Sequence, residues 1–155
     1  MCWSKQFKTK EEALYASKHP LIADADYIVY KLLYKLSETD FSSLNIGFNY
    51  KKGYLYTESK FETQITELIT WNKQTNKFDS IAYEFSVFEG LHSYAKLNGQ
   101  MWGGPYFYLL PFILPKGSKY WISEDKGLKN QKIIVSNKLW LPDVDVKTLP
   151  NLKTF

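Results

Sequence analysis

Arginine is absent from the sequence, and all 20 basic residues are lysines. Guanidinium groups are the usual bidentate donors to phosphate, carboxylate and guanine, so recognition of such groups falls to lysines and backbone N–H groups here. The longest lysine run is Lys51-Lys52, and the formal net charge of +4 forms no basic stripe along the chain. We therefore expect no sequence-specific binding of nucleic acid.

Cysteine and histidine are also scarce. Cys2 is the single cysteine, which excludes an intramolecular disulfide and is typical of a reducing compartment. Cys2, His19 and His92 are too few and too distant in sequence to form a zinc site. We expect no metal and no cofactor.

Long hydrophobic runs are missing as well. The sequence contains no run of about 18 apolar residues that would predict a membrane-spanning helix. Residues 1–10 lack the hydrophobic stretch of a signal peptide. The sequence therefore predicts a cytoplasmic protein without membrane association.

Aromatic residues, by contrast, are abundant. The chain has 12 Tyr, 10 Phe and 5 Trp, and hydrophobic residues make up 45% of it. This composition and a length of 155 residues predict one domain with one core over residues 1–155. The rings exceed what such a core needs, so we expect some of them to line a surface groove or pocket.

Hydrophobic periodicity predicts mostly strands with one or two short helices. A capping-box pattern begins a helix at Thr9 that ends near His19, before Pro20. The spacing that follows Leu91 predicts a second short helix, closed by Gly99. Alternating apolar residues predict strands over residues 26–36, 44–50, 54–56, 61–71, 81–87, 106–114, 120–122 and 131–141.

The predicted fold class is α+β, a single domain of mostly antiparallel β-sheet with one or two short helices. We expect strands 44–50 and 54–56 to pair as a hairpin across the turn at residues 51–53. In strand 26–36, the face that carries Ile28, Tyr30 and Leu32 is expected to pack on the core. The predicted core residues are Tyr30, Leu32, Phe48, Phe85 and Leu110.

Three segments occur together in this chain: Met1-Cys2, Phe88-Glu89-Gly90-Leu91-His92-Ser93-Tyr94, and the Leu-Pro-Lys-Gly-Ser-Lys-Tyr of residues 114–120 followed by residues 134–139. In this combination the chain resembles a set of small Met-Cys-initiated proteins of gut Bacteroidetes, their phages and their mobile elements. Those proteins carry Gly-Phe-His-Ser and Ile-Pro-Lys-Gly segments, and here Leu91 replaces the usual Phe. The resemblance implies a phage or mobile-element setting in the host cytoplasm, and it implies no particular chemistry.

Cys2 carries one enzymatic hypothesis. If Met1 is removed, the new α-amine could act as the base for an N-terminal cysteine nucleophile, with His92 as its partner. The alternative is a small buried hydrophobe that anchors the N-terminus beside Trp3, and we prefer this interpretation. Cys2 and His92 are therefore catalytic candidates only if the chain is an enzyme.

The candidate ligand-binding residues are His92, Tyr94, Trp102 and Lys116. His92 follows a predicted strand and opens a predicted helix, a position from which it can meet a phosphate or carbonyl, or can tie the preceding turn together. Trp102 precedes two glycines in a loop that suits either a stacking platform or ordinary packing on the sheet. Lys116 lies in a turn, at a pocket rim or in solvent.

The preferred function is a non-enzymatic binding protein that acts on host defence by sequestering a nucleotide-type signal. Rings would stack on the base, while lysines and backbone N–H groups would meet the phosphates. The expected partner is a nucleotide-like small molecule or a host protein, and the sequence leaves open whether the chain forms a homo-oligomer.

Two alternatives stay open beside it, an enzyme and a protein-interaction module. Besides the Cys2 hypothesis, Tyr30-Lys31, Phe41-Ser42-Ser43 and the Pro-Lys-Gly turn at residues 115–117 resemble the layout of ADP-ribosyltransferases. Ser136-Asn137 stand where those enzymes carry a glutamate, which argues against that activity even if the fold is related.

Overall fold

The N-terminal helix begins where the capping box predicts it. The computed structural model describes residues 3–43, 48–58, 63–96, 107–124 and 132–155. Within them α1 spans Lys10–Lys18, and the Thr9 side chain accepts a hydrogen bond of 3.2 Å from the backbone N–H of Glu12. This bond satisfies one of the free N–H groups at the helix N-terminus.

Strands make up most of the described chain. A 3-10 helix, Val146–Thr148, follows the last strand. The strands are β1 Trp3–Phe7, β2 Leu21–Ile22, β3 Tyr27–Lys35, β4 Asp40–Ser43, β5 Asn49–Lys51, β6 Leu55–Thr57, β7 Thr63–Asn72, β8 Lys77–Val87, β9 Leu91–Tyr94, β10 Phe107–Leu114, β11 Lys119–Glu124, β12 Lys132–Ser136 and β13 Lys138–Trp140.

These strands form two antiparallel sheets. The smaller sheet has the order β1-β8-β7, and the larger has ten strands with the path β2-β11-β12-β9-β3-β10-β13-β6. Strand β4 joins β3 beside this path, and β5 pairs with β4. The prediction of mostly antiparallel β-sheet is confirmed, and because α1 is the single α-helix of the described ranges, the protein is mostly β.

Two hydrophobic cores lie on opposite sides of the large sheet. Successive strand residues point to opposite faces, so Ile134 and Val135 of β12 belong to different cores. The inner core includes Val29, Leu33, Phe41, Tyr50, Leu91, Phe112, Leu114, Ile134, Leu139 and Leu141. The outer core, between the large sheet and the small sheet with α1, contains Trp3, Ala13, Phe85, Val87, Trp121 and Val135.

The two faces of β3 are the reverse of the sequence prediction. Val29 and Leu33 are fully buried in the inner core, whereas Tyr30 and Leu32, predicted to be core residues, are only partly buried. The lysines made the Val29 face appear solvated, yet Lys31 points inward between Val29 and Leu33. The face of β3 that carries Val29 and Leu33 is therefore the more deeply buried one.

The other three predicted core residues differ in how far they are buried. Phe85 is fully buried as predicted, and its ring lies 5.8 Å from Trp3 and 5.2 Å from Trp121. Leu110 is partly buried and packs against the inner core. The prediction for Phe48 is wrong, because 45% of this side chain is exposed.

Two local predictions yield to long-range pairing. Residues 91–94 form strand β9 and not the start of a helix, because β12 offers them a complete antiparallel partner. Strands β5 and β6 pair with β4 and β13 and not with each other. Gly53 turns the chain between them with a φ of 91° and donates its N–H to the Leu141 carbonyl.

The C-terminal segment is an ordered wrap. The Ile28 N–H donates to the Lys153 carbonyl at 2.9 Å, and the Phe155 ring stacks on Tyr27 at 4.3 Å.

Nine-residue α1 is too short to cross a bilayer, and the described ranges hold no other helix that is long and apolar enough to do so.

Phe85 tests the outer core. Phe85→Ala should lower the free energy of unfolding by about 3–5 kcal/mol, because it leaves a cavity between Trp3 and Trp121. Urea denaturation measures the loss. Phe78→Ala is the control, since this ring lies on the same strand but is 66% exposed, and it should cost well under half as much. Equal losses for the two variants would contradict this assignment of the core.

Candidate functional site

The large sheet opens between β3 and β9. These strands pair at a single position, Tyr30 with Tyr94. Strand β10 occupies the other edge of β3 from Tyr27 to Tyr34, so β4, which joins β3 at Leu33, must share the edge with β9. Strands β9 and β4 thus diverge from β3 beside Lys31.

A cavity of about 1140 Å³ lies at this opening. Its volume is slightly above the range of typical ligand pockets, about 300–1,000 Å³. Side chains from both sides of the sheet line it, so the opening connects an inner and an outer part. The inner part is lined by Lys31, Leu33, Ser43, Tyr50 and Ser93, and the outer part by Trp3, Lys5, His92 and Tyr94.

Lys31 is a partly buried cation that lines this cavity. Its Nζ donates a hydrogen bond to the backbone carbonyl of His92 and lies 5.2 Å from the centroid of the Tyr50 ring. Among the described residues, no carboxylate forms an ion pair with it. Burial without a counter-charge lowers the pKa of Lys31 to about 8.

His92 lies on the outer side, opposite Val135 of β12. The pKa of His92 is lowered to about 4, mainly because the imidazole is buried and to a smaller extent because Lys31 is positively charged. The imidazole is therefore neutral at physiological pH. Its Nε2 atom is buried and has no hydrogen-bond partner in the part of the chain that the structure describes. A buried polar atom of this kind is the usual mark of a group that awaits a ligand or water.

Ser93 is a second unpartnered group. The side chain is 2% exposed and lines the inner part of the cavity, and its Oγ bonds to none of the described residues. Continuing the register of Tyr30 and Tyr94 would place Ser93 opposite Lys31 on the same face. The inner part is thus lined by both an ammonium and a hydroxyl.

The structure brings two of the predicted site residues together. His92 and Tyr94 lie two residues apart on β9 and both line the cavity. His92 does so from a strand, so the predicted position at a helix N-terminus is wrong.

Of the other candidates, the structure describes Lys116 alone. Lys116 is exposed in the turn between β10 and β11, where its backbone N–H donates to Asp26 Oδ1 at 2.8 Å, and it is not among the described residues that line the cavity. Cys2 and Trp102 lie outside the described residues. Trp3, the neighbour of Cys2, lines the same cavity as His92.

Sequence reasoning missed Lys31, Ser93 and Tyr50. The signal for Lys31 was present, since a lysine flanked at i−2 and i+2 by Val29 and Leu33 occupies an otherwise apolar strand face. In the described ranges, no cluster of three or more His, Cys, Asp or Glu side chains could hold a metal ion.

No protein-family model, curated protein or solved structure matches this chain. The resemblances to Bacteroidetes phage proteins and to ADP-ribosyltransferases stay predictions, as do the enzyme and protein-interaction alternatives.

His92 should make the protein sensitive to acid. Its pKa is about 4 in the folded state and 6.5 when unperturbed, so the unfolded chain binds more protons between these values. The contribution of His92 to the free energy of unfolding should be complete above pH 6.5. It should fall by up to roughly 3 kcal/mol as the pH drops towards 4. Urea denaturation from pH 4 to 7 measures this loss.

Two variants isolate the histidine. His92→Gln should remove this part of the pH dependence, whereas His19→Gln, at an exposed position, should keep it. The same pH profile for wild type and His92→Gln would show that His92 is not desolvated.

Proposed function

We propose that this protein binds a small, ring-bearing anion of the nucleotide type and sequesters it without chemical conversion. The observation that carries the proposal is the partly buried Lys31 ammonium, which lines a large cavity without a carboxylate partner among the described residues. A buried ammonium is costly unless a negative group neutralises it. A ligand anion would supply the charge that the described residues do not.

The charges around the cavity favour an anion near Lys31. Lys5 and Lys132 also line the cavity, and so do Glu58 and Glu89. These charges are nearly balanced, but Tyr50 and Ser93 beside Lys31 are neutral groups. Burial raises the pKa of the Tyr50 hydroxyl, which keeps it protonated. We place the anion at Lys31 because the described groups that its Nζ contacts, the His92 carbonyl and the Tyr50 ring, are neutral.

Aromatic rings at the cavity could hold a planar group. Phe48 and Tyr50 line the cavity with their centroids 4.8 Å apart. Phe48 is 45% exposed, so its ring is accessible from solvent. Stacking on such rings is the usual way to hold a nucleobase without reading its sequence, and it needs no arginine.

The biological setting follows from the resemblance to phage and mobile-element proteins. In a host cell, a small protein with such a cavity would act by lowering the free concentration of a nucleotide-type defence signal. Sequestration of this kind needs binding alone.

A nucleotide screen tests the proposal. Isothermal calorimetry against cyclic and linear nucleotides should find at least one that binds. Lys31→Met, which removes the charge but keeps an apolar stem, should weaken that binding by about tenfold or more. Lys116→Met is the matched control, because Lys116 is exposed in a turn and lies outside the cavity lining, and it should bind like wild type.

Two results would contradict the proposal. One is the failure of every nucleotide to bind the folded wild-type protein. The other is equal affinity of the Lys31→Met and Lys116→Met variants, which would place the anion away from Lys31.

A further inference from the structure

Lys31 differs in its surroundings from the other described lysines of the cavity. Lys5 and Lys132 are exposed residues, so their amines meet solvent. Lys31 is partly buried, and the hydrogen bond from its Nζ to the His92 carbonyl holds the amine at the opening between β3 and β9. An amine held in a cavity without a carboxylate is the arrangement that proteins use to form imines with carbonyl compounds.

We infer that Lys31 captures an aldehyde group of an anionic, ring-bearing ligand as a reversible imine. This inference rests on the proposed function, because the ligand occupies the same cavity. It extends that function by adding an aldehyde to the ligand class and a covalent bond to its retention.

The surroundings of Lys31 favour the neutral amine that the reaction needs. With a pKa of about 8, roughly one tenth of the Lys31 side chains are neutral at pH 7, far more than for an unperturbed lysine. In the part of the chain that the structure describes, no carboxylate holds the proton on Nζ. The titratable groups that line the cavity with it are Lys5, Tyr50, Glu58, Glu89, His92, Tyr94 and Lys132.

The step balances without an oxidant or reductant. The Nζ lone pair forms a bond to the aldehyde carbon, and the electron pair of the C=O π bond moves to oxygen. A proton passes from nitrogen to that oxygen to give a carbinolamine. Loss of water then gives the imine, and addition of water reverses the step.

Ser93 is placed to assist at the oxygen. Its buried Oγ lacks a hydrogen-bond partner among the described residues and lies on the same face as Lys31. A hydroxyl in this position can donate to the aldehyde oxygen as negative charge develops on it. Ser93 would act as a positioning residue, since the bond forms at Lys31.

Reductive trapping tests the inference. The probe is one equivalent of pyridoxal 5′-phosphate, an anionic ring-bearing aldehyde, with sodium cyanoborohydride to reduce the imine to a stable amine. Intact mass spectrometry followed by peptide mapping should place most of the label on Lys31 among the 20 lysines. The Lys31→Arg variant should lose that label, whereas Lys132→Arg should keep it.

Two separate measurements on the wild-type protein distinguish this inference from the proposed function. Peptide mapping reports the imine, and calorimetry reports nucleotide binding. The expected result is a label that prefers Lys31 in a protein that also binds a nucleotide. A label spread over exposed lysines without preference for Lys31 would overturn the inference alone. Failure of wild type to bind any nucleotide would instead overturn the proposed function.

Discussion

The hydrogen bond from Lys31 Nζ to the His92 carbonyl is the interaction around which the cavity is arranged. It crosses the place where β3 and β9 have ceased to pair and β4 has taken over the edge of β3. A backbone carbonyl that would otherwise bond to a neighbouring strand accepts an ammonium there. The sheet stays connected at this point through a side chain, and space for a ligand remains beside it.

The two cores hold this opening in place. The inner core fixes β3 through Val29 and Leu33, on either side of Lys31. The outer core fixes β12 through Val135, which pairs with His92. Trp3 links the small sheet to the large one by donating from Nε1 to the Ile133 carbonyl at 3.2 Å. Rigid packing on both sides stabilises His92 Nε2 and Ser93 Oγ, which have no hydrogen-bond partner among the described residues and are costly to bury in that state.

Local patterns predicted much of the fold. The Thr9 cap, strand β7 with its β-branched residues and the buried Phe85 follow from period and propensity alone. Those local signals fail where pairing with a distant strand determines the secondary structure. Strand β9 is set by β12, some 40 residues further along the chain, and four residues with weak helical spacing cannot reveal such a partner.

The candidate site was predictable only in part. His92 and Tyr94 were selected because they follow the end of a predicted strand, a common position for site residues. Lys31 was missed because a lysine in a strand is ordinarily assigned to the solvated face, and burying one needs a cavity that local sequence does not encode. That cavity exists because β9, from a distant part of the chain, shares one edge of β3 with the neighbouring strand β4 and pairs with β3 at a single position.

The most direct test of this account is an NMR titration of the lysine side chains. Lysine labelled with ¹³C at Cε gives one resonance per residue, and the Lys31→Arg variant identifies the one from Lys31. The account predicts that Lys31 titrates near pH 8 in the free protein and at higher pH once a nucleotide is bound. Titration of Lys31 near 10.5 in the free protein would show a solvated amine and would contradict the account.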